Sequence, residues 1–188
     1  SRSFYLQMSQ SDELKTVENL IATSNDRVQQ ATAYKHRNIL FSVGDSVAVS
    51  LKKQTLKYSR FLGRIEAIYC ISDFPTTDRR FPVVKIRYYF DRHSLSNSYK
   101  PFKEQLSENE LFLSDVTALV PISLISGIVK VGTLDEYVNN EAEFAKFCEA
   151  EYLTDDDKIA PPLNTRERVC YCGHIDNPDF NYIMCESC

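Results

Sequence analysis

The chain has 188 residues and an apolar fraction of 43%, enough for one well-packed domain with small appendages. No apolar run approaches the ~20 residues of a membrane-spanning helix, and residues 1–10 lack the basic-then-apolar layout of a secretory signal. The net charge of −4 is uneven: residues 41–103 carry 12 Lys or Arg against 5 Asp or Glu, and residues 104–188 carry 5 against 17. This asymmetry favours contacts with phosphate on one side and with a basic peptide on the other, although two solvated faces explain it equally well.

The first predicted element is a helix over residues 11–34. Ser11 suits an N-cap, and the acidic residues after it suit a first turn. The apolar residues of its first half share one face and are Leu14, Val17, Leu20 and Ile21. This stripe fades after Ile21, so the helix is expected to fray or bend before His36.

From Ile39 onward the apolar residues recur every second position, which is typical of half-buried strands. Alternation is clearest at 46–51 and 83–90, and further strands are predicted at 61–71, 110–113, 127–131 and 144–152, the last of which could be helical by propensity. Polar residues around Pro75 predict a loop at 72–80. Short strands without regular intervening helices indicate a mainly β fold, a distorted antiparallel barrel or a sandwich.

Four of the six cysteines lie close to one end, as Cys170, Cys172, Cys185 and Cys188. Two close thiol pairs separated by a loop suit zinc, and their clustering favours a reducing compartment, the nucleus or cytoplasm. Either the pairs belong to different zinc ions of a two-zinc module whose first half is seen here, or all four close a single site. His174 is a substitute ligand in principle, but a loop histidine more often faces solvent.

Aromatic residues are concentrated in the run 87–90. Tyr88 and Phe90 share one face of the predicted strand, because residues two apart point the same way. With Phe61 from the preceding strand, three rings would form a box that attracts a methylated ammonium. The alternative is that these rings only fill the core, which aromatic residues do far more often.

Five segments in order resemble a bromo-adjacent homology (BAH) domain over residues 39–154. They are Val43-Gly44-Asp45-Ser46-Val47, Phe61-Leu62-Gly63-Arg64-Ile65-Glu66-Ala67-Ile68, Ile86-Arg87-Tyr88-Tyr89-Phe90, Glu110-Leu111-Phe112-Leu113-Ser114-Asp115 and Ile125-Ser126-Gly127-Ile128-Val129-Lys130-Val131. Residues 169–188 resemble the opening of a plant homeodomain (PHD) finger. An acidic run at 155–157 followed by prolines at 161–162 predicts a linker over residues 155–168. With the predicted helix, the organisation is a helical extension at 1–38, the BAH domain, this linker and the partial finger. Together they are similar to the plant BAH–PHD chromatin readers of the SHORT LIFE and EARLY BOLTING IN SHORT DAYS type.

The resemblance implies a distorted β-barrel that reads the Polycomb-type trimethyl-lysine mark on histone H3, with cage residues Phe61, Tyr88 and Phe90. Tyr88 stands where those readers carry tryptophan, and Val116 where they carry histidine, which affects the choice of mark. Asp115 is expected to contact the peptide or, as an alternative, to cap a turn. The finger implies zinc bound by its cysteines.

The resulting expectation is a nuclear, non-enzymatic chromatin reader whose partner is the histone H3 tail or the nucleosome. No phosphate-binding glycine loop, nucleophile elbow or His-Glu metal motif points to catalysis. One alternative is a BAH scaffold that binds proteins or nucleosomes without reading methylation. Another is contact with the DNA backbone through the basic residues 52–103, with an affinity that falls steeply with salt.

Overall fold

The computed structural model describes residues 18–19, 21–23, 27–52, 58–71, 82–140, 143–169 and 173–180. The chain divides into two compact units. The first unit comprises Ser1–Tyr88 and Val116–Val129, and the second comprises Tyr89–Asp115 and Lys130–Cys188. No helix within the described ranges is long and apolar enough to span a bilayer.

The first unit is built from antiparallel strands. In chain order the strands are β1 Val28–Ala31, β2 Ala33–His36, β3 Ile39–Ser42, β4 Ser46–Lys52, β5 Tyr58–Ile71, β6 Val83–Asp91, β7 Glu110–Pro121 and β8 Ile125–Ile128. Strand β6 belongs to this unit up to Tyr88, and β7 belongs to it from Val116 onward. The long strand β5 pairs with β1, β4 and β6, and β8 pairs with β4. The separate hairpin β2–β3 turns through Arg37 and Asn38, both at positive φ. A short 3-10 helix, Ile122–Leu124, joins β7 to β8.

The core of this unit follows the alternation in the sequence. Val47 and Val49 on β4 are completely buried, as are Val84 and Ile86 on β6. Their neighbours between, such as Ala48 and Lys85, are only half-buried, as expected for strands with one face on the core.

The second unit contains the ends of β6 and β7 together with five shorter strands and two helices. The strands are β9 Val131–Gly132, β10 Lys146–Leu153, β11 Lys158–Ala160, β12 Arg168–Val169 and β13 His174–Ile175; the helices are α1 Lys100–Lys103 and α2 Leu134–Asn139. Two 3-10 helices, Asn97–Tyr99 and Leu163–Thr165, complete it. Thr133 and Glu136 form a capping box at the start of α2. β10 runs parallel to β7 and β9 and antiparallel to β11.

The structure confirms the mainly β class but corrects two parts of the prediction. Among the described residues no pairing between β7 and β8 closes the strands into a barrel, and the two parallel pairings of β10 depart from an antiparallel architecture. The segment 144–152, ambiguous by propensity, is the strand β10, because its pairing with β7 and β11 outweighs local preference.

The helix predicted over residues 11–34 is wrong from Val28 onward. Residues 18–19 and 21–23 are helical, whereas Val28–Ala31 forms β1 and pairs with the end of β5. Residues 1–17, with the expected N-cap Ser11, lie outside the described residues. The apolar stripe ends at Ile21, so nothing local holds the later residues in a helix against strand pairing.

Residues 155–168, expected to form a linker, are packed into the second unit. Ile159 in β11 and Leu163 in the 3-10 helix are buried. Arg166 makes an ion pair with Glu110 of β7 and lies 5.9 Å from the centre of the Phe112 ring. The acidic residues and the two prolines of this segment therefore do not indicate a free tether. The loop predicted at 72–80 lies outside the described residues.

Candidate functional site

Two of the three predicted cage rings contact each other in the first unit. Phe61 on β5 and Tyr88 on β6 have ring centroids 4.6 Å apart and planes inclined by 55°. Both belong to the buried cluster that includes Phe41, Ile65 and Ile86. Phe61 keeps 8% of its surface exposed and Tyr88 only 1%. These rings are thus a contacting pair within the core, of which Phe61 keeps slightly more exposed surface.

Gly63 determines how closely β5 and β6 approach beside these rings. It stands directly opposite Tyr88 in the antiparallel register. A Cβ atom at this position would lie 2.1 Å from Cγ2 of Ile86 and 2.9 Å from the carbonyl oxygen of Arg87. A larger residue would therefore push β6 away and disturb the strand that carries Tyr88.

The third predicted ring, Phe90, lies near the end of β6 and belongs to the second unit. It is 6% exposed. Its ring packs edge-on against Tyr152 of β10, with centroids 5.5 Å apart and an angle of 65° between the planes. Sequence reasoning did not identify Tyr152 because only the pairing of β10 brings it to this place; its strand alternation indicated no more than burial.

Asp115 makes local contacts at the end of the second-unit part of β7. Its Oδ1 accepts hydrogen bonds from the backbone N–H of Thr154, at 2.9 Å, and from the Thr154 hydroxyl, at 2.7 Å. Partial burial acts to raise the pKa of Asp115, but hydrogen bonds from Thr154, together with backbone hydrogen bonds at Asp115 and Asp155, hold the pKa below its ordinary value. Of the two expected roles, this geometry corresponds to the turn-capping one; peptide contact stays a prediction.

Glu110 is a buried charge in the same strand. One of its oxygens lies 2.5 Å from Nη2 of Arg166, and its side chain is 3% exposed. Neither atom has a hydrogen bond of good direction, so the contact is electrostatic. Burial raises the pKa of Glu110 and Arg166 opposes that rise, the net shift being upward.

Residues 177–179, which lie between the two cysteine pairs, are anchored on the loop that follows α1. Oδ2 of Asp179 accepts hydrogen bonds from the Ser107 hydroxyl and the Glu108 backbone N–H, each at 2.8 Å. The side-chain amide of Asn177 donates to the carbonyl of Gln105 at 2.9 Å. The Asn-Pro-Asp sequence at 177–179, a turn signal, was the only sequence indication of this anchor.

The predicted zinc ligands Cys170, Cys172, Cys185 and Cys188 all lie outside the described residues. Within the part of the chain that the structure describes, no group of three or more His, Cys, Asp or Glu side chains could hold a metal ion. His174, the substitute ligand, is exposed on β13.

Several basic side chains of the predicted DNA-contacting region are engaged within their own unit. Lys85 lies 3.4 Å from Glu66. Lys103 donates to the carbonyl of Leu95 at 2.7 Å, and Arg92 donates to the carbonyl of Leu106 at 2.8 Å. The ion pair with Glu66 offsets the charge of Lys85, whereas the bonds to carbonyl oxygens restrain Lys103 and Arg92 without removing their charge.

Comparisons with known proteins give matches among solved structures. No family model matches the chain, and no curated protein does. Among solved structures, the chain is similar to the yeast Rsc2 BAH domain, with 15% sequence identity and a TM-score of 0.45. The match covers 69% of this chain and 53% of that one, so the chain spans about half the length of that structure. A likeness this weak assigns no function.

Proposed function

We propose that the chain is a chromatin reader that binds a methylated lysine on a histone tail, the Polycomb-type trimethyl mark on histone H3 above all, through Phe61, Tyr88 and Phe90. The observation that carries the proposal is the contact between the Phe61 and Tyr88 rings on neighbouring strands. Phe90 follows Tyr88 by two residues in the sequence, a spacing that places side chains on one face of a regular strand.

The chemistry of trimethyllysine suits such rings. Its ammonium keeps a full positive charge but has no N–H groups, so it needs no hydrogen-bond acceptors when it leaves water. Each aromatic face attracts the cation by about 0.5–2 kcal/mol, more when the site is dry. Unmethylated lysine would lose its hydration without gaining partners, because the three predicted cage residues include no carboxylate. Preference for the methylated form follows.

The burial of the rings sets a cost on this binding. With 1% of its surface exposed, Tyr88 offers no open face for a cation unless a neighbouring side chain moves. Phe61 and Phe90 keep slightly more of their surface exposed, 8% and 6%. We therefore expect binding to require a side-chain rearrangement. The measured affinity is then lower than the intrinsic affinity, because only the fraction of molecules in the open arrangement can bind.

Acidic residues of the second unit supply the charge that a basic histone tail needs. Glu149 and Glu151 are exposed on β10, and Asp155 and Asp156 are exposed in the turn that follows. A tail laid along a strand edge could form backbone hydrogen bonds while its Lys and Arg residues meet these carboxylates. Asp115 belongs to this acidic group and is the proposed peptide contact.

Calorimetric titration tests the proposal. An H3 peptide carrying trimethyllysine is compared with the same peptide unmethylated and with one in which an uncharged tert-butyl analogue replaces the trimethylammonium. The proposal predicts that only the charged methylated form binds well. Phe61→Leu and Phe90→Leu, which keep apolar bulk but remove the ring, should each weaken binding roughly threefold to thirtyfold. Phe147→Leu, which removes a buried ring outside the cluster that contains Phe61 and Tyr88, is the matched control.

A second candidate is a BAH scaffold that binds nucleosomes or a partner protein without reading methylation. The nearly complete burial of Tyr88 favours it, because a ring enclosed by the core needs no ligand to explain it. It predicts equal binding of methylated and unmethylated peptides.

Binding of bare DNA through residues 52–103 would instead fall steeply as salt rises, which a gel shift at two salt concentrations would reveal.

We also propose that Cys170, Cys172, Cys185 and Cys188 bind zinc as part of a PHD-type finger, and that the protein acts in the nucleus. The support is the spacing of the four thiols, since thiolates in two close pairs are the preferred ligands of structural zinc. Zinc quantified per purified chain tests it, with Cys170→Ser and Cys185→Ser as variants. Loss of bound zinc in both is expected, whereas metal-free wild-type protein would contradict the assignment.

A further inference from the structure

Phe90 is the first of three rings that contact in sequence within the second unit. It packs edge-on against Tyr152, which in turn packs edge-on against Tyr99, with centroids 6.1 Å apart and planes at 88°. Tyr152 is buried, 5% exposed, and Tyr99 is half-buried beside α1. Edge-to-face contacts of this kind favour one relative orientation of the rings, so the orientation of Phe90 depends on that of Tyr152.

Tyr152 is itself fixed by hydrogen bonds to the turn between β10 and β11. Its hydroxyl donates to Oδ1 of Asp157 at 2.7 Å, and the Ser98 hydroxyl donates to Oδ2 of the same carboxylate at 2.7 Å. The Tyr99 hydroxyl donates to the backbone carbonyl of Asp157 at 3.0 Å and accepts from the N–H of Ile159 at 2.9 Å. Burial, followed by the bond to Asp157, raises the pKa of Tyr152, so the hydroxyl keeps its proton for this bond.

The other end of the same turn is held by Asp115. Its carboxylate accepts both bonds from Thr154, three residues before Asp157. Asp157 itself adopts a positive φ of 50°, a conformation that the surrounding contacts must maintain. The turn 154–157 is therefore held by hydrogen bonds at both ends, and the hydroxyl of Tyr152 donates the bond at the Asp157 end.

We propose that Tyr152 is a positioning residue of the methyl-lysine site: it holds the ring of Phe90 in the orientation that binds the cation, and Asp157 holds Tyr152. This inference rests on the proposed function and adds to it a residue outside the predicted cage. Without the Tyr152 ring, Phe90 loses an edge-to-face contact that favours one ring orientation, and the site loses preorganisation rather than a direct ligand contact.

The test compares two substitutions at Tyr152 with one at a similar tyrosine elsewhere in the unit. Tyr152→Leu removes the ring, whereas Tyr152→Phe removes only the hydroxyl bond to Asp157. The control is Tyr137→Leu, because Tyr137 is also buried, packs on the Phe147 ring at 5.1 Å and accepts a hydrogen bond from Asn109. Each variant is titrated with trimethylated and unmethylated H3 peptide, and the ratio of the two affinities is the readout.

The ratio should fall roughly threefold to tenfold in Tyr152→Leu, about twofold in Tyr152→Phe, and remain unchanged in Tyr137→Leu. A purely structural role would lower both affinities together and leave the ratio constant. A constant ratio in both Tyr152 variants, alongside a reduced ratio in Phe90→Leu, would overturn the positioning role and leave the proposed function intact. A wild-type chain that does not prefer the methylated peptide would overturn both.

The ring itself gives a second readout should Tyr152→Leu fold poorly. In Tyr152→Phe the aromatic NMR signals of Phe90 should shift and show faster ring rotation, since the neighbouring ring is no longer tied to Asp157. Unchanged Phe90 signals in that variant would contradict the inference. Comparison with Tyr137→Phe controls for a general loosening of the unit.

Discussion

Replacing Arg166 by methionine should destabilise the protein strongly and in a pH-dependent way. The substitution keeps much of the apolar stem but removes the cation that lies 2.5 Å from buried Glu110. Breaking a buried pair by removal of one partner typically costs 3–5 kcal/mol; because Arg166 retains 18% exposure, we expect roughly 2–4 kcal/mol at pH 7.5. Urea unfolding followed by circular dichroism measures this difference.

The dependence on pH follows from the pKa of Glu110, which burial raises even in the presence of Arg166. A carboxyl group whose pKa is higher in the folded state than in the unfolded state takes up a proton on folding at any pH between those two pKa values. The free energy of unfolding therefore falls as pH rises through that interval. Without Arg166 the folded-state pKa of Glu110 rises further. The cost of Arg166→Met should therefore be smaller at pH 5 than at pH 7.5.

A matched control is Lys130→Met, which breaks an ion pair with Glu143 in which both side chains are more than half exposed. Its expected cost is below about 1 kcal/mol and nearly independent of pH in this range. The double variant Glu110→Leu with Arg166→Met should recover part of the lost stability, because no charge is left buried. Equal losses in Arg166→Met and Lys130→Met, or a loss that does not change with pH, would refute the reasoning.

Three further substitutions test single contacts. Gly63→Ala should cost roughly 1–3 kcal/mol, measured by thermal unfolding, because its Cβ would lie 2.1 Å from Cγ2 of Ile86; an unchanged Tm would show that β6 yields freely. Asp115→Asn should lose about 1 kcal/mol at neutral pH, since it weakens the bonds from Thr154. Because the pKa of Asp115 is lower in the folded state, its carboxylate stabilises the fold fully above the ordinary aspartate pKa. This stabilisation is lost as pH falls through the folded-state pKa, so the stabilities of wild type and Asp115→Asn, measured by urea unfolding, should converge at acid pH. Asp179→Ala should speed proteolysis near residues 170–180, and an unchanged cleavage rate would mean that the anchor contributes little.

The strands were predictable where local pattern and burial agree. Val84 and Ile86 alternate with half-buried Lys85, and that alternation alone placed β6 and the direction of Tyr88. Local pattern could not predict that Val28–Ala31 is a strand, because this segment becomes a strand by pairing with β5, more than 35 residues away in sequence. The same holds for the parallel pairing of β10 with β7.

For the proposed site, the sequence indicated candidate aromatic residues and their spacing but not their contacts. The spacing of Tyr88 and Phe90 indicated a shared face, and Phe61 does contact Tyr88. Nothing in the sequence shows that Phe90 packs on Tyr152, nor that Asp157 fixes that tyrosine, because both contacts depend on strands joined through tertiary pairing. Asp115 could be assigned to a peptide contact or a turn cap from sequence alone, and only coordinates supply Thr154 as its partner.

The most direct test of the central claim is the affinity of the wild-type chain for trimethylated against unmethylated H3 peptide, measured by calorimetry under one buffer condition. The proposed cage predicts at least a tenfold preference for the trimethylated peptide, since about 1.4 kcal/mol from two or three ring faces is enough to produce it. Equal affinities for the two peptides would contradict the account and favour a scaffold that binds chromatin without reading the mark.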